Sequence, residues 1–186
     1  MSEKMKLYMI MLGCKPKGRT TEQHDIFFGI STSMKNLIPQ MNAFWPEANG
    51  AMHVDAWREV NAVDGFQISV IPKGTITEPK QQLFFINLGG YKPGEFEEFH
   101  YKIITVASSL AEAVKKSKAT AFYKHCGFTG AVSHIDDKYG IDVDDIYKVD
   151  DILAADLKIA FQLEITPNVN LPEDKLNIGY FKLSKL

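Results

Sequence analysis

Apolar positions along the chain fall into short runs of two periods. Residues 6–12, KLYMIML, are apolar nearly throughout, which suits a strand buried on both faces. A loop rich in Gly, Pro and Lys follows at 13–19, and IFFGI at 26–30 has the β-branched and aromatic content of a second strand. The period then changes. Leu37, Ile38, Met41 and Phe44 mark one helical face, with Ser33 as the expected N-cap. Pro39 kinks this helix or marks a late start, because it lacks the N–H for an i−4 bond. PEANG at 46–50 ends it. HVDAWREV at 53–60 and FQISVI at 66–71 read as strands, with Asp64-Gly65 as the hairpin dipeptide between them.

After a linker-like stretch, PKGTITEPKQQ at 72–82, the same order returns. LFFINL (83–88) is a strand, 89–96 a glycine-containing loop, and KIITVA (102–107) a strand. Ser109 and Glu112 form a capping box before the helical run LAEAVKKSKATAFYK, and Gly127 lies past its end. The return is also literal. LGCKPKGRTTEQHD (12–25) matches LGGYKPGEFEEFHY (88–101) without a gap at an offset of 76 (100 − 24), and 7–40 shares eight identities with 83–116. Four of them, Gly13/Gly89, Gly18/Gly94, Glu22/Glu98 and His24/His100, fall in one short loop. SHIDD (133–137) matches MHVDA (52–56), which sets His134 on His53 and Asp136 on Asp55 at an offset of 81 (134 − 53). IDVDDIYKVDDIL then takes the place of the last hairpin strand. In the tail, LKIAFQLEI and LNIGYFKL look like two further strands.

An internal repeat outranks other architectural signals. The expected fold is therefore α+β: two ββαββ-like repeats related by a pseudo-twofold, with C-terminal strands completing the sheet. The expected boundaries are 1–73 for the first unit, 82–153 for the second, and 154–186 for the C-terminal strands.

LYMIMLGCKPKGRTTEQHDIFFGI and HVDAWREV resemble the bacterial family known as domain of unknown function 1543, whose members carry one or two copies of this unit. The resemblance implies the two-copy architecture and a bacterial, intracellular setting. It brings no activity with it.

Composition narrows the functional classes. A net charge of −2 gives no basic face for nucleic acid. No apolar run approaches the roughly 18 residues that span a bilayer. The short apolar run near the N-terminus alternates like a strand and precedes no small-residue cleavage site, so it reads as a first strand and not a signal peptide. Two cysteines, Cys14 and Cys126, argue against a disulfide scaffold and for a reducing, cytoplasmic setting.

Candidate chemistry sits around the repeated loop. Gly13-x4-Gly18-Arg19-Thr20 falls one residue short of a phosphate-binding P-loop. Arg replaces the required lysine, a strand follows where a helix N-terminus is needed, and the second copy has Glu95 and Phe96 there. A simpler reading keeps Lys15, Lys17 and Arg19 as anion contacts; the structural alternative is a turn whose glycines take positive φ. Glu22 and His24, two residues apart in an extended chain, share a face. So do Glu98 with His100, His53 with Asp55, and His134 with Asp136. Brought together, Glu22, His24, His53 and Asp55 make either a two-His-plus-carboxylate metal site or a histidine base oriented by a carboxylate. Alternatively they cap loops and bridge strands. Cys14 beside Lys15 and Lys17 is a candidate low-pKa thiol, although its counterpart is Gly90. Trp57 and Arg58 on an alternating strand are candidates to line a groove.

The leading functional expectation is binding of a small, anionic molecule or a protein partner at the seam of the two copies. The competing one is a His/acid-dependent enzyme, a hydrolase, with or without a metal. The sequence designates no cofactor and assigns no metal.

Overall fold

The computed structural model describes residues 4–75, 79–91, 94–119 and 141–186, with backbone only over 141–144. In chain order the main elements are β1 (Lys6–Cys14), β2 (Gln23–Ser31), α1 (Ile38–Phe44), β3 (Met52–Glu59), β4 (Ala62–Val63), β5 (Phe66–Pro72), β6 (Gln82–Tyr91), β7 (Glu98–Ala107), α2 (Leu110–Ser117), β8 (Ile141–Lys148), α3 (Val149–Ile152), α4 (Ala155–Ala160), β9 (Phe161–Pro167) and β10 (Asn177–Lys182). The architecture is mixed α+β with antiparallel sheets. The chain divides into two compact units, Met1–Thr77 with Ile152–Leu186, and Glu78–Asp151.

The first unit holds a four-stranded sheet in the order β10-β3-β1-β2 and a three-stranded sheet β4-β5-β9. Alternation along β1 divides its faces. Tyr8, Ile10, Leu12 and Cys14 join Phe27, Leu37, Met41 and Val54 in a core under α1, while Gly13 falls between two of these and faces the other way. Ile10, Leu12, Leu37, Met41 and Val54 are fully buried, each contributing about 1.5–3 kcal/mol by area removed from water. The late start of α1 holds: Pro39 sits in its first turn, where its missing N–H costs nothing. Ser33 does not cap it; the segment enters through a 3-10 turn, Lys35–Leu37, with no side-chain cap. The Asp64-Gly65 turn forms, with both residues at positive φ (52° and 78°), but it joins the short β4 to β5; the strands at 53–60 and 66–71 lie in different sheets and do not pair.

The tail corrects one expectation. LKIA is not strand: α4 covers it, and only from Phe161 does β9 begin. Leu157 is the one buried residue of α4, while Lys158, Ile159 and Ala160 are exposed, so the run offers the core a single position and not a continuous apolar face. β9 then pairs along β5, and β10 along β3, so both C-terminal strands extend sheets of the first unit. The Asp174 carboxylate accepts from the Asn61 and Ala62 amides and ties down the loop that leads into β10.

The second unit is a three-stranded sheet, β7-β6-β8, with α2 against β6 and β7. The capping box forms with one shift. Ser109 Oγ accepts from the Glu112 amide, while the Glu112 carboxylate accepts from Ser108, backbone N at 2.8 Å and hydroxyl at 2.6 Å. The segment from IDVDDIYKVDDIL lies in a different place from that expected. As β8 it pairs beside β6 as β3 pairs beside β1: Leu88 faces Val143 and Gly89 faces Asp142, as Leu12 faces Val54 and Gly13 faces His53. Each pairing carries a register shift, between Met11/Leu12 and between Asn87/Leu88, 76 residues apart (87 − 11). The register position of His53 therefore belongs to Asp142 and not to His134, which lies outside the described residues together with Asp136, Cys126 and the expected end of the second helix.

Candidate functional site

The strands of the first unit run further into the loop than the apolar pattern indicates. Gly13 and Cys14 are the last residues of β1, and Gln23, His24 and Asp25 the first of β2. His24 is thus a strand residue. Its register partner is Gly13, and the partner of Gly13 on the other side is His53. The result is a row across three strands, His24–Gly13–His53, on the face away from α1. Neighbouring strands lie about 4.8 Å apart, so the two histidine backbones stand roughly 10 Å apart with a bare glycine between them. Both imidazoles can lean into that space. Gly13 is not among the positive-φ glycines, so it is no turn residue. A Cβ there would collide with Asp55 Oδ2 and stand 2.5 Å from His53 Nε2. Gly18, with φ 84°, does take the turn role, and the Arg19 amide closes that turn on the Pro16 carbonyl.

Asp55 reaches the row through a bulge. Met11 pairs with Ala56 and Leu12 with Val54, which leaves Asp55 as the extra residue of β3. Bulges re-aim side chains, and this one turns the carboxylate over Gly13. Its Oδ1 lies 3.2 Å from His53 Nε2 and its Oδ2 3.2 Å from His24 Nε2. Glu22 closes the group: Oε1 is 3.2 Å from His53 Nε2 and Oε2 4.0 Å from His24 Nε2. All four side chains meet in one cluster. Exposure is graded, with side-chain values of 8% for His53, 22% for Asp55, 42% for His24 and 45% for Glu22, so the cluster has a buried floor and an open rim. Asp55 Oδ2 is a buried oxygen with no hydrogen-bond partner, despite its distance from His24. Buried polar atoms are rarely left so.

Tyr180, far from the repeated loop in the chain, also takes part. β10 pairs with β3 at Ile178/Ala56 and again at Phe181/Val54, so Gly179 and Tyr180 bulge between, with Gly179 at φ 150°. The Tyr180 ring packs on the His53 imidazole at 4.2 Å between centroids and 33° between planes, while its own side is open to solvent. The Gly-Tyr dipeptide inside an otherwise regular strand pattern is the trace a bulge leaves.

The remaining candidates are dispersed. Lys15, Lys17 and Arg19 are exposed on the β1–β2 loop, at the cluster's end of the sheet. Trp57 is not at the cluster; it pairs with Ile10 and packs on the core under α1, 6.3 Å from the Tyr8 ring. Arg58 pairs with Met9 and donates to its Sδ at 3.7 Å. Burial pushes the guanidinium below its ordinary range, with Asp174 opposing. Cys14 lies on the core face, and burial, then the Glu22 charge, push its thiol up, the reverse of an activated nucleophile. In the second unit His100 pairs with Gly89 and Glu98 with Tyr91.

Residues 19–70 match the family model described as Domain of Unknown Function (DUF1543), so this stretch carries the domain that its motifs resemble. No curated protein matches the chain. Among solved structures, the crystal structure of a protein Il1583 from Idiomarina loihiensis is similar over 96% of this chain and 98% of that one, at a TM-score of 0.58 and 20% identity. That likeness shows the fold alone. Among the described residues, no helix is long and apolar enough to cross a membrane.

Proposed function

We propose that the chain binds a small molecule on the first unit's sheet face, with Glu22, His24, His53 and Asp55 as the contact groups. The exposed Lys15, Lys17 and Arg19 take an anionic part of the ligand. One observation carries this reading: two imidazoles and two carboxylates from separate segments converge over a glycine whose Cβ would fill the space. Strand bridging alone needs one carboxylate per imidazole. Here one carboxylate serves both, and one of its oxygens has no hydrogen-bond partner. In this reading the two units are copies of one ββα-based design, supported by the matching registers and bulges. The first copy holds the site, since Asp142 stands in the second at the position of His53.

A second reading is a His/acid-dependent hydrolase. It is favoured by His53, whose Nε2 faces two carboxylates, the arrangement that orients an imidazole through its N–H and leaves Nδ1 as the base nitrogen. Cys14 belongs to the opposite face, so the nucleophile in that reading is water. Calorimetry with phosphorylated and carboxylated metabolites tests the binding reading. His24→Ala, at the open rim, abolishes binding while unfolding stays unchanged, and His100→Ala binds as wild type. Loss in His100→Ala with His24→Ala unaffected overturns the assignment.

A further inference from the structure

We infer that Glu22, His24, His53 and Asp55 hold one divalent transition-metal ion, of the zinc or cobalt class. The inference rests on the same cluster as the proposed function and names what sits at its centre. The donor set is two imidazole Nε2 atoms and carboxylate oxygens, the mixture such ions accept. Spacing agrees. Ligands at about 2.0–2.1 Å from a tetrahedral ion lie about 3.3 Å from one another. Three of the four imidazole–carboxylate separations are 3.2 Å. Asp55 Oδ2, buried and without a hydrogen-bond partner, is the kind of atom an ion or water satisfies. Backbone under the cluster is bare, because Gly13 has no Cβ to occupy the space.

The site is unclosed as it stands. Glu22 Oε2 is 4.0 Å from His24 Nε2, wider than the edge of a tetrahedral site, and among the described residues no three such donors already stand in metal-holding geometry. Glu22 and His24 are the two exposed members, so closure requires both of these side chains to rotate about the more buried His53 and Asp55. The Tyr180 ring, tilted 33° against His53, restricts that imidazole from one side. With both imidazoles neutral, two carboxylates match the ion's charge. A rim open to solvent leaves room for an anionic ligand beside the loop cations, which links the metal to the binding reading. The second unit has Asp142 at the register of His53, so the stoichiometry is one ion per chain.

The test is titration of chelator-treated full-length protein with Co²⁺, followed by its visible absorption, with Zn²⁺ competition and metal analysis. The expected result is one ion per chain, displaced by Zn²⁺. Asp55→Asn, His24→Ala and Glu22→Gln each weaken binding by at least roughly tenfold. His100→Ala leaves it intact. His24 and Glu22 are exposed, so their variants report on coordination even if an Asp55 variant unfolds; circular dichroism verifies the fold of each. Absence of uptake by wild type, or uptake indifferent to His24→Ala and Glu22→Gln, overturns the inference. Metal uptake without any small-molecule binding leaves the ion and sinks the proposed function. His24-dependent binding of a small molecule by protein that takes up no metal does the reverse.

Discussion

Gly13→Ala separates a built cluster from an incidental one. The backbone at Gly13 is ordinary strand, so alanine meets no φ strain, and the shorter list of unfolded conformations favours the variant by about 0.4–1 kcal/mol. Against this, the new methyl collides with Asp55 Oδ2 and stands 2.5 Å from His53 Nε2 and 3.0 Å from His53 Cε1. Overpacking of this kind costs about 1–3 kcal/mol. Asp55 and Glu22 can swing toward solvent, while His53, pinned under Tyr180, cannot easily do so. The net expectation is a loss of about 1–2 kcal/mol, a fall in Tm of about 2–8 °C. The larger effect is on the site, because the methyl takes the space between the imidazoles. Thermal unfolding by circular dichroism gives the first quantity, and imidazole ¹H–¹⁵N correlation spectra of His24 and His53 give the second. A variant as stable as wild type, with both histidine spectra unmoved, refutes the geometry of the cluster and the readings built on it.

Other outcomes follow from single observations. Glu112, exposed and hydrogen-bonded first of all to Ser108, has its carboxyl held down to about 2 from 4.5. Its folded value is depressed, so its contribution to the second unit is whole above about pH 4.5 and fades as pH falls toward 2. Amide exchange of the α2 first turn, compared with Glu112→Gln, shows that pH dependence in wild type and not in the variant. Leu157→Ala, at a buried position of α4, costs about 2–5 kcal/mol in denaturant unfolding. A surface-like cost below about 0.5 kcal/mol argues against the burial of Leu157. In a Cys126→Ser background, Cys14 reacts with a thiol reagent no faster than global unfolding exposes it. Rapid labelling of the native protein contradicts a buried thiol pushed up by desolvation.

What the sequence determined by itself is what short-range physics determines. Alternation and β-branched content located β1, β3, β5 and β6, and Asp64-Gly65 gave its hairpin, because these depend on residues a few positions apart. The Glu22-x-His24 and His53-x-Asp55 pairs were legible for the same reason: two-residue spacing in an extended chain is a statement about faces. LKIA reads as strand from its apolar content, yet only its Leu157 is buried and the segment is helical, because its place against the core is set by tertiary packing. Tertiary structure decided which strands lie beside β1 and in what register. Only that register puts Gly13 between His24 and His53, makes Asp55 the bulged residue, brings Tyr180 from 127 residues away (180 − 53) onto His53, and gives Asp142 the position that sequence matching gave to His134. Strand pairing is non-local, and a shift of one residue exchanges every side chain between faces. No local pattern carries that information, which is why the four groups could be named from the sequence while their meeting could not.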